Sequence, residues 1–184
     1  MRRSVLTLVA TAALHASLVV AQPSTVILVR HAEKASLTDP DPLLTDLGMR
    51  RAKDLAAALA DAHVTTVITS QYQRTRLTGA PLVEATKPTL IVVANSGNTA
   101  AHIGDVAAAV RARPLGEVVL VIGHSSTIPA IIGALGGPRL AKLCESQYSM
   151  LFILEMNRSN TPRLIRANYG APDVADPTCP KERK

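Results

Sequence analysis

Three apolar runs in this 184-residue chain end in residues able to hold and attack an anion. Thr25-Val26-Ile27-Leu28-Val29 leads into Arg30-His31-Ala32, and Val118-Val119-Leu120-Val121-Ile122 leads into Gly123-His124-Ser125. The third, Val64-Thr65-Thr66-Val67-Ile68, leads into Thr69-Ser70, with Arg74 four residues on. A neutral imidazole is a nucleophile, and a guanidinium offers a planar fork of donors that fits the oxygens of a tetrahedral dianion. Transfer of a phosphoryl group to a side chain needs those two parts and an acid for the leaving group. His31 suits the nucleophile's part if its ring is uncharged, and cationic Arg30 and Arg74 nearby would keep it so. His124, with the free backbone N–H groups of a helix opening at Ser125-Ser126-Thr127 and Pro129 in its first turn, would add donors for the same anion.

These residues must be carried to one place, and the pattern of the chain supplies the means. Five- and six-residue runs rich in Val and Ile alternate with Ala- and Leu-rich segments of helical period, the signature of parallel βαβ units with ligands at the strand ends. Strands are predicted near 25–29, 64–69, 89–94, 117–122, 148–155 and 162–167, and helices near 46–62, 72–86, 99–112 and 127–135. Leu47, Arg51, Leu55, Ala58, Leu59 and Ala62 mark the inward stripe of the first helix. In the second helix, Ser70 is the expected N-cap, which sets Arg74 close to the first turn. The macrodipole opposes a cation there, and a bound anion would reverse the sign. The stretch 32–44, with Asp39-Pro40-Asp41-Pro42, reads as a loop on the rim of the site, and Asn95-Ser96-Gly97-Asn98 as a second loop.

Composition narrows the class. Arg2 and Arg3, an apolar stretch to Val20 and a small-residue site at Val19-Val20-Ala21 mark residues 1–21 as an export signal. Residues 22–184 then form a single domain with a Pro-rich C-terminal tail, periplasmic or secreted and without stable membrane insertion after cleavage. Its 18 basic and 14 acidic residues give a mild excess that favours small anions. Nucleic acid is not expected as a partner, because one Phe, three Tyr and no Trp leave little on which to stack bases. Two cysteines in an exported chain, Cys144 and Cys179, are expected to form a disulfide that pins the tail.

Arg30-His31-Ala32-Glu33, then Leu44-Thr45-Asp46-Leu47-Gly48 with Arg51-Ala52 and Leu55, then Ser70-Gln71-Tyr72-Gln73-Arg74-Thr75 with Thr78, then Val121-Ile122-Gly123-His124-Ser125 form an ordered series. The series, over about residues 25–136, resembles the motifs of the histidine phosphatase superfamily, the phosphoglycerate-mutase-like fold. The resemblance implies an α/β three-layer sandwich whose mixed, mainly parallel sheet is flanked by helices, with no metal and no organic cofactor. It implies that His31 becomes phosphorylated and that Arg30, Arg74 and His124 complete the catalytic pocket, with Ser125 added to them as a phosphate-binding residue. The sequence departs from the pattern at Ala32, where a glycine is usual, and at Leu37, where many members carry an asparagine. It also lacks the glutamate often found after the third strand, which leaves Asp105, His102 and the nearer Glu33 as candidate proton donors. The function expected is a metal-independent phosphomonoesterase of the histidine acid type, working through a phosphohistidine on His31. Its substrate would be a small-molecule phosphate ester or a phosphorylated envelope component. A non-catalytic phosphate-binding module and a phosphomutase are the alternatives.

Overall fold

A strand rich in Val and Ile at successive positions is apolar on both faces and has to be covered on both. The computed structural model, which describes residues 23–156 and 161–179, covers such strands with two helices on each side. In chain order the elements are β1 (Thr25–Arg30), α1 (Asp46–Ala58), β2 (Thr66–Thr69), α2 (Gln73–Thr86), β3 (Thr89–Val92), α3 (Thr99–Arg111), β4 (Val118–Gly123), α4 (Thr127–Ala134), β5 (Met150–Glu155) and β6 (Arg163–Asn168). The strands form one sheet in the order β3-β2-β4-β1-β5-β6. The first four run parallel, while β5 and β6 join antiparallel at the β1 side, so the sheet is mixed and mainly parallel. The expected export segment, residues 1–21, and the basic end at 181–184 lie outside the described residues.

Alternation divides the core into two layers. Val26, Leu28, Val119 and Val121 pack with Val106, Val110 and Ile131 of α3 and α4. Ile27, Val29, Leu120 and Ile122 pack with Leu55 of α1 and Leu82 of α2 on the opposite face. The parallel register pairs Arg30 with Gly123 and Thr69 with Ile122, so the chain leaves β1, β2 and β4 at one edge of the sheet. There the His31 amide donates to the Gly123 carbonyl at 2.9 Å, tying the exit of β1 to the exit of β4.

The first helix differs from expectation. It ends at Ala58 instead of Ala62, and a left-handed His63 (φ 51°) turns the chain toward β2. Its buried residues are Gly48, Arg51, Ala52 and Leu55, whereas Leu47 and Ala58, both placed on the inward stripe, are exposed. The rotation follows from Gly48, which lies so close to the backbone after His31 that a Cβ there would collide with the Glu33 carbonyl oxygen. Thr45 caps this helix through the Gly48 amide at 3.0 Å, and its own amide donates to the same Glu33 carbonyl.

The C-terminal tail is docked. Cys144 and Cys179 are joined with Cα atoms 5.7 Å apart, and Asp173 accepts hydrogen bonds from the amides of Tyr148 and Ser149. Among the described residues, no helix is long and apolar enough to cross a membrane.

Candidate active site

The exits of β1, β2 and β4 open on a cavity of about 270 Å³ whose lining includes Arg30, His31, Arg74, His124 and Ser125. A larger cavity of about 570 Å³ lies between α2 and the β3 edge, lined by Val67, Leu77, Val83 and Leu90 among others. Its lining includes no histidine, whereas the smaller, polar cavity gathers both His31 and His124 with two arginines.

His31 is buried, and its Nδ1 lies 2.8 Å from the Ala32 carbonyl oxygen. A carbonyl only accepts, so Nδ1 carries the proton and Nε2 of the neutral ring keeps its lone pair. Burial is the main reason its pKa falls to about 3; the Ala32 carbonyl opposes that fall, and Arg30, His124 and Arg74 reinforce it. His124 is likewise lowered to about 3, first by burial and then by Arg74. The two rings meet edge to face with centroids 5.4 Å apart.

Ser70 does not cap α2. Its hydroxyl sits 3.2 Å from His124 Nε2 and 2.9 Å from the Thr75 hydroxyl. Thr75 directs its proton to the Tyr72 carbonyl at 2.8 Å, so Ser70 donates to Thr75 and accepts the Nε2 proton of His124. The N-cap position falls at Tyr72, and the Gln73 amide is instead satisfied by Asp41, across 32 residues, at 2.7 Å. Asp41 also answers the charge conflict at Arg74. Its carboxylate lies 3.9 Å from the Arg74 guanidinium, which donates to the Pro40 carbonyl and stacks 4.2 Å over Tyr72. The loop 32–44 thus forms one wall of the site.

Arg30 is held from the opposite wall. Its Nη1 donates to the carbonyl oxygens of Cys144 (2.8 Å), Glu145 (2.9 Å) and Gln147 (3.2 Å), and its guanidinium lies 4.1 Å over the Tyr148 ring. Its Nη2 pairs with Glu145 Oε2 at 2.6 Å, while Ser125 donates to Glu145 Oε1 at 3.0 Å. Arg30 and Ser125, both expected to bind phosphate, therefore face the same carboxylate of the protein. Glu145 was not foreseen, nor were Lys34, Tyr72 and Thr99, which also line the cavity. The signal for Glu145 was its place beside Cys144, since a disulfide at that position fixes the segment in space.

The three candidate acids are not brought to the reacting atoms. Glu33 is turned away and gripped by Arg51, whose Nε and Nη2 reach its carboxylate at 2.9 and 2.8 Å. Asp105 is exposed on α3 and does not line the cavity. His102 is buried with Nδ1 3.4 Å from the Ala94 carbonyl, close enough to His124 to lower its pKa but absent from the cavity wall. The β3–α3 connection contributes Asn95, and α3 its first residue, Thr99.

Both histidines bind fewer protons folded than unfolded between pH 6.5 and about 3. Their contribution to stability is complete above pH 6.5 and is lost as the pH falls through that window. A His124→Asn variant should show a shallower loss of urea stability from pH 7 to 4.5 than the wild type, by at most about 1.4 kcal/mol per pH unit. Parallel curves for the two proteins would mean that His124 is not held neutral.

Residues 26–97 match the sequence model of the histidine phosphatase superfamily (branch 1). No curated protein matches the chain. Among solved structures, the protein histidine phosphatase SixA in complex with tungstate is 17% identical with a TM-score of 0.61, over 78% of this chain and 96% of that one. YhfR of Bacillus stearothermophilus is 16% identical (TM-score 0.59; 76% and 94% covered). The mycobacterial glucosyl-3-phosphoglycerate phosphatase Rv2419c is 18% identical (TM-score 0.55; 80% and 99% covered). The likeness of this chain to the histidine phosphatase superfamily (branch 1) is thus carried twice, by the family's sequence pattern over residues 26–97 and by the phosphoglycerate-mutase-like fold.

Proposed function

We propose that this protein is an exported phosphomonoesterase that works through a phosphohistidine on His31. The observation that carries the reading is the buried, neutral His31 ring, which keeps its Nε2 lone pair beside His124 in a cavity lined by two arginines. Nε2 attacks phosphorus, the bond to the leaving oxygen breaks, and Arg74 supplies donors to the equatorial oxygens, joined by His124 once its Nε2–H turns from Ser70 to the phosphoryl group. Water then attacks the phosphorus, the P–N bond breaks and inorganic phosphate leaves. The family match and the phosphatases among the structural neighbours support this chemistry. Export is supported by the signal-like pattern of residues 1–21 and by the Cys144–Cys179 disulfide.

Among the described residues no carboxylic acid stands free beside His31, so the leaving group departs with little help. Substrates with leaving groups of low pKa, such as aryl phosphates, are favoured, and so are phosphoramidates already protonated on the leaving amine or imidazole, the bond type present in a phosphorylated histidine. A phosphorylated envelope component with such a bond, or an activated small ester, is the substrate class this reading favours. The kcat/KM for an aryl phosphate should exceed that for an alkyl phosphate by at least about 10²-fold, the usual worth of a general acid. Equal values would show that an acid is present after all. Phosphate binding without hydrolysis of either ester would make the protein a binding module.

A further inference from the structure

The group that now occupies the anion-binding corner belongs to the protein. We propose that Glu145 is an internal competitor for substrate, a carboxylate that holds Arg30 and Ser125 until a phosphoryl group displaces it. The inference rests on the pocket being a phosphoryl site, and it adds a specificity residue to that pocket.

Three observations support the displacement. The Arg30 guanidinium is almost wholly buried, whereas the Glu145 side chain that pairs with it is 62% exposed. That carboxylate is already largely hydrated and its other partner, Lys142 at 3.3 Å, is itself exposed, so returning it to water costs little. The pairing is also incomplete. A guanidinium offers two parallel donors along its Nε–Nη2 edge, and Glu145 fills only Nη2, leaving Nε–H buried without a partner. A dianion with three equatorial oxygens can fill both donors and still accept from Ser125, whose proton Glu145 Oε1 now takes. Finally, the carboxylate does not stand there by chance. The carbonyls of Cys144, Glu145 and Gln147 grip Nη1 of the same arginine, and the Cys144–Cys179 disulfide anchors the segment one residue before Glu145. The main chain of the loop thus orients Arg30, while the Glu145 side chain is free to leave.

Removing the competitor should tighten binding. Calorimetric titration of the full chain with inorganic phosphate should give a Kd about fivefold lower for Glu145→Gln than for wild type, the order expected for one charge pair with a solvent-exposed carboxylate. In the same preparation KM for an aryl phosphate should fall by a similar factor. A merely structural role for Glu145 would weaken binding, so a gain is diagnostic. Glu155→Gln, which removes an exposed acid paired with Arg163 on the β5–β6 edge, controls for net charge and should leave the phosphate Kd unchanged. An unchanged or weaker Kd in Glu145→Gln, an equal gain in Glu155→Gln, or no phosphate binding by wild type and variant alike overturns the inference. Failure of the phosphatase reading shows separately, as absence of aryl phosphate hydrolysis by the wild type whatever the two Kd values are.

Discussion

Replacing His31 by Asn should lower kcat for an aryl phosphate by at least about 10⁴-fold, the scale on which removal of a covalent nucleophile acts. It should also abolish the acid-labile phosphoryl adduct trapped by rapid quenching. The reason lies in the ring nitrogens. Nδ1 is committed to the Ala32 carbonyl, so attack falls to Nε2, and Asn can imitate the first bond but has no lone pair of comparable basicity for the second. The substitution should spare the fold, because His31 is held by β1 register and by its amide bond to Gly123, both independent of the side chain. Inorganic phosphate should still bind, since Arg30, Arg74, His124 and Ser125 remain. An adduct that persists in the variant, at His124 or elsewhere, would remove His31 from the nucleophile's role.

Much of this arrangement was legible because it follows from local pattern. Runs such as Val26–Val29 and Val119–Ile122 can only be strands covered on both faces, and parallel strands joined by helices bring their C-terminal ends to one edge. Arg30, His31 and His124 had to meet there once β1 and β4 were neighbours. What could not be read depends on partners distant in sequence. Ser70 looked like a cap for α2, yet Asp41 takes that task and Ser70 turns to His124. Both residues are chemically able to cap, and only the path of the loop 32–44 decides between them. Glu33 is two residues from His31 and reads as available in the sequence, but α1 presents Arg51 to it. Glu145 carried no motif. It enters because the Cys144–Cys179 link and the antiparallel β5 bring residues 144–148 against Arg30.

Arg51→Met should destabilise the protein by about 3–5 kcal/mol at neutral pH, the range for removing one partner of a buried ion pair. The guanidinium is 2% exposed, and it satisfies three sites at once: the Glu33 carboxylate, the Tyr169 carbonyl at 3.1 Å and the Ala171 carbonyl at 2.9 Å. Methionine restores much of the volume but none of the donors, so a carboxylate 14% exposed is left without its counter-charge. Adding Glu33→Gln should recover part of the loss, because it removes the stranded charge while the two carbonyls stay unpaired. Arg50→Met, one residue earlier on the exposed side of α1, should change stability by no more than about 0.5 kcal/mol. Urea unfolding of the three variants measures the differences directly, and a cost for Arg51→Met as small as that for Arg50→Met would refute the ion pair. The same pair bears on catalysis through geometry. Glu33 follows Ala32, the carbonyl of which fixes the His31 tautomer, so freeing Glu33 from Arg51 loosens the segment that aims Nε2. Folded Arg51→Met should therefore lose kcat as well as stability, and Glu33→Gln added to it should restore stability more than rate.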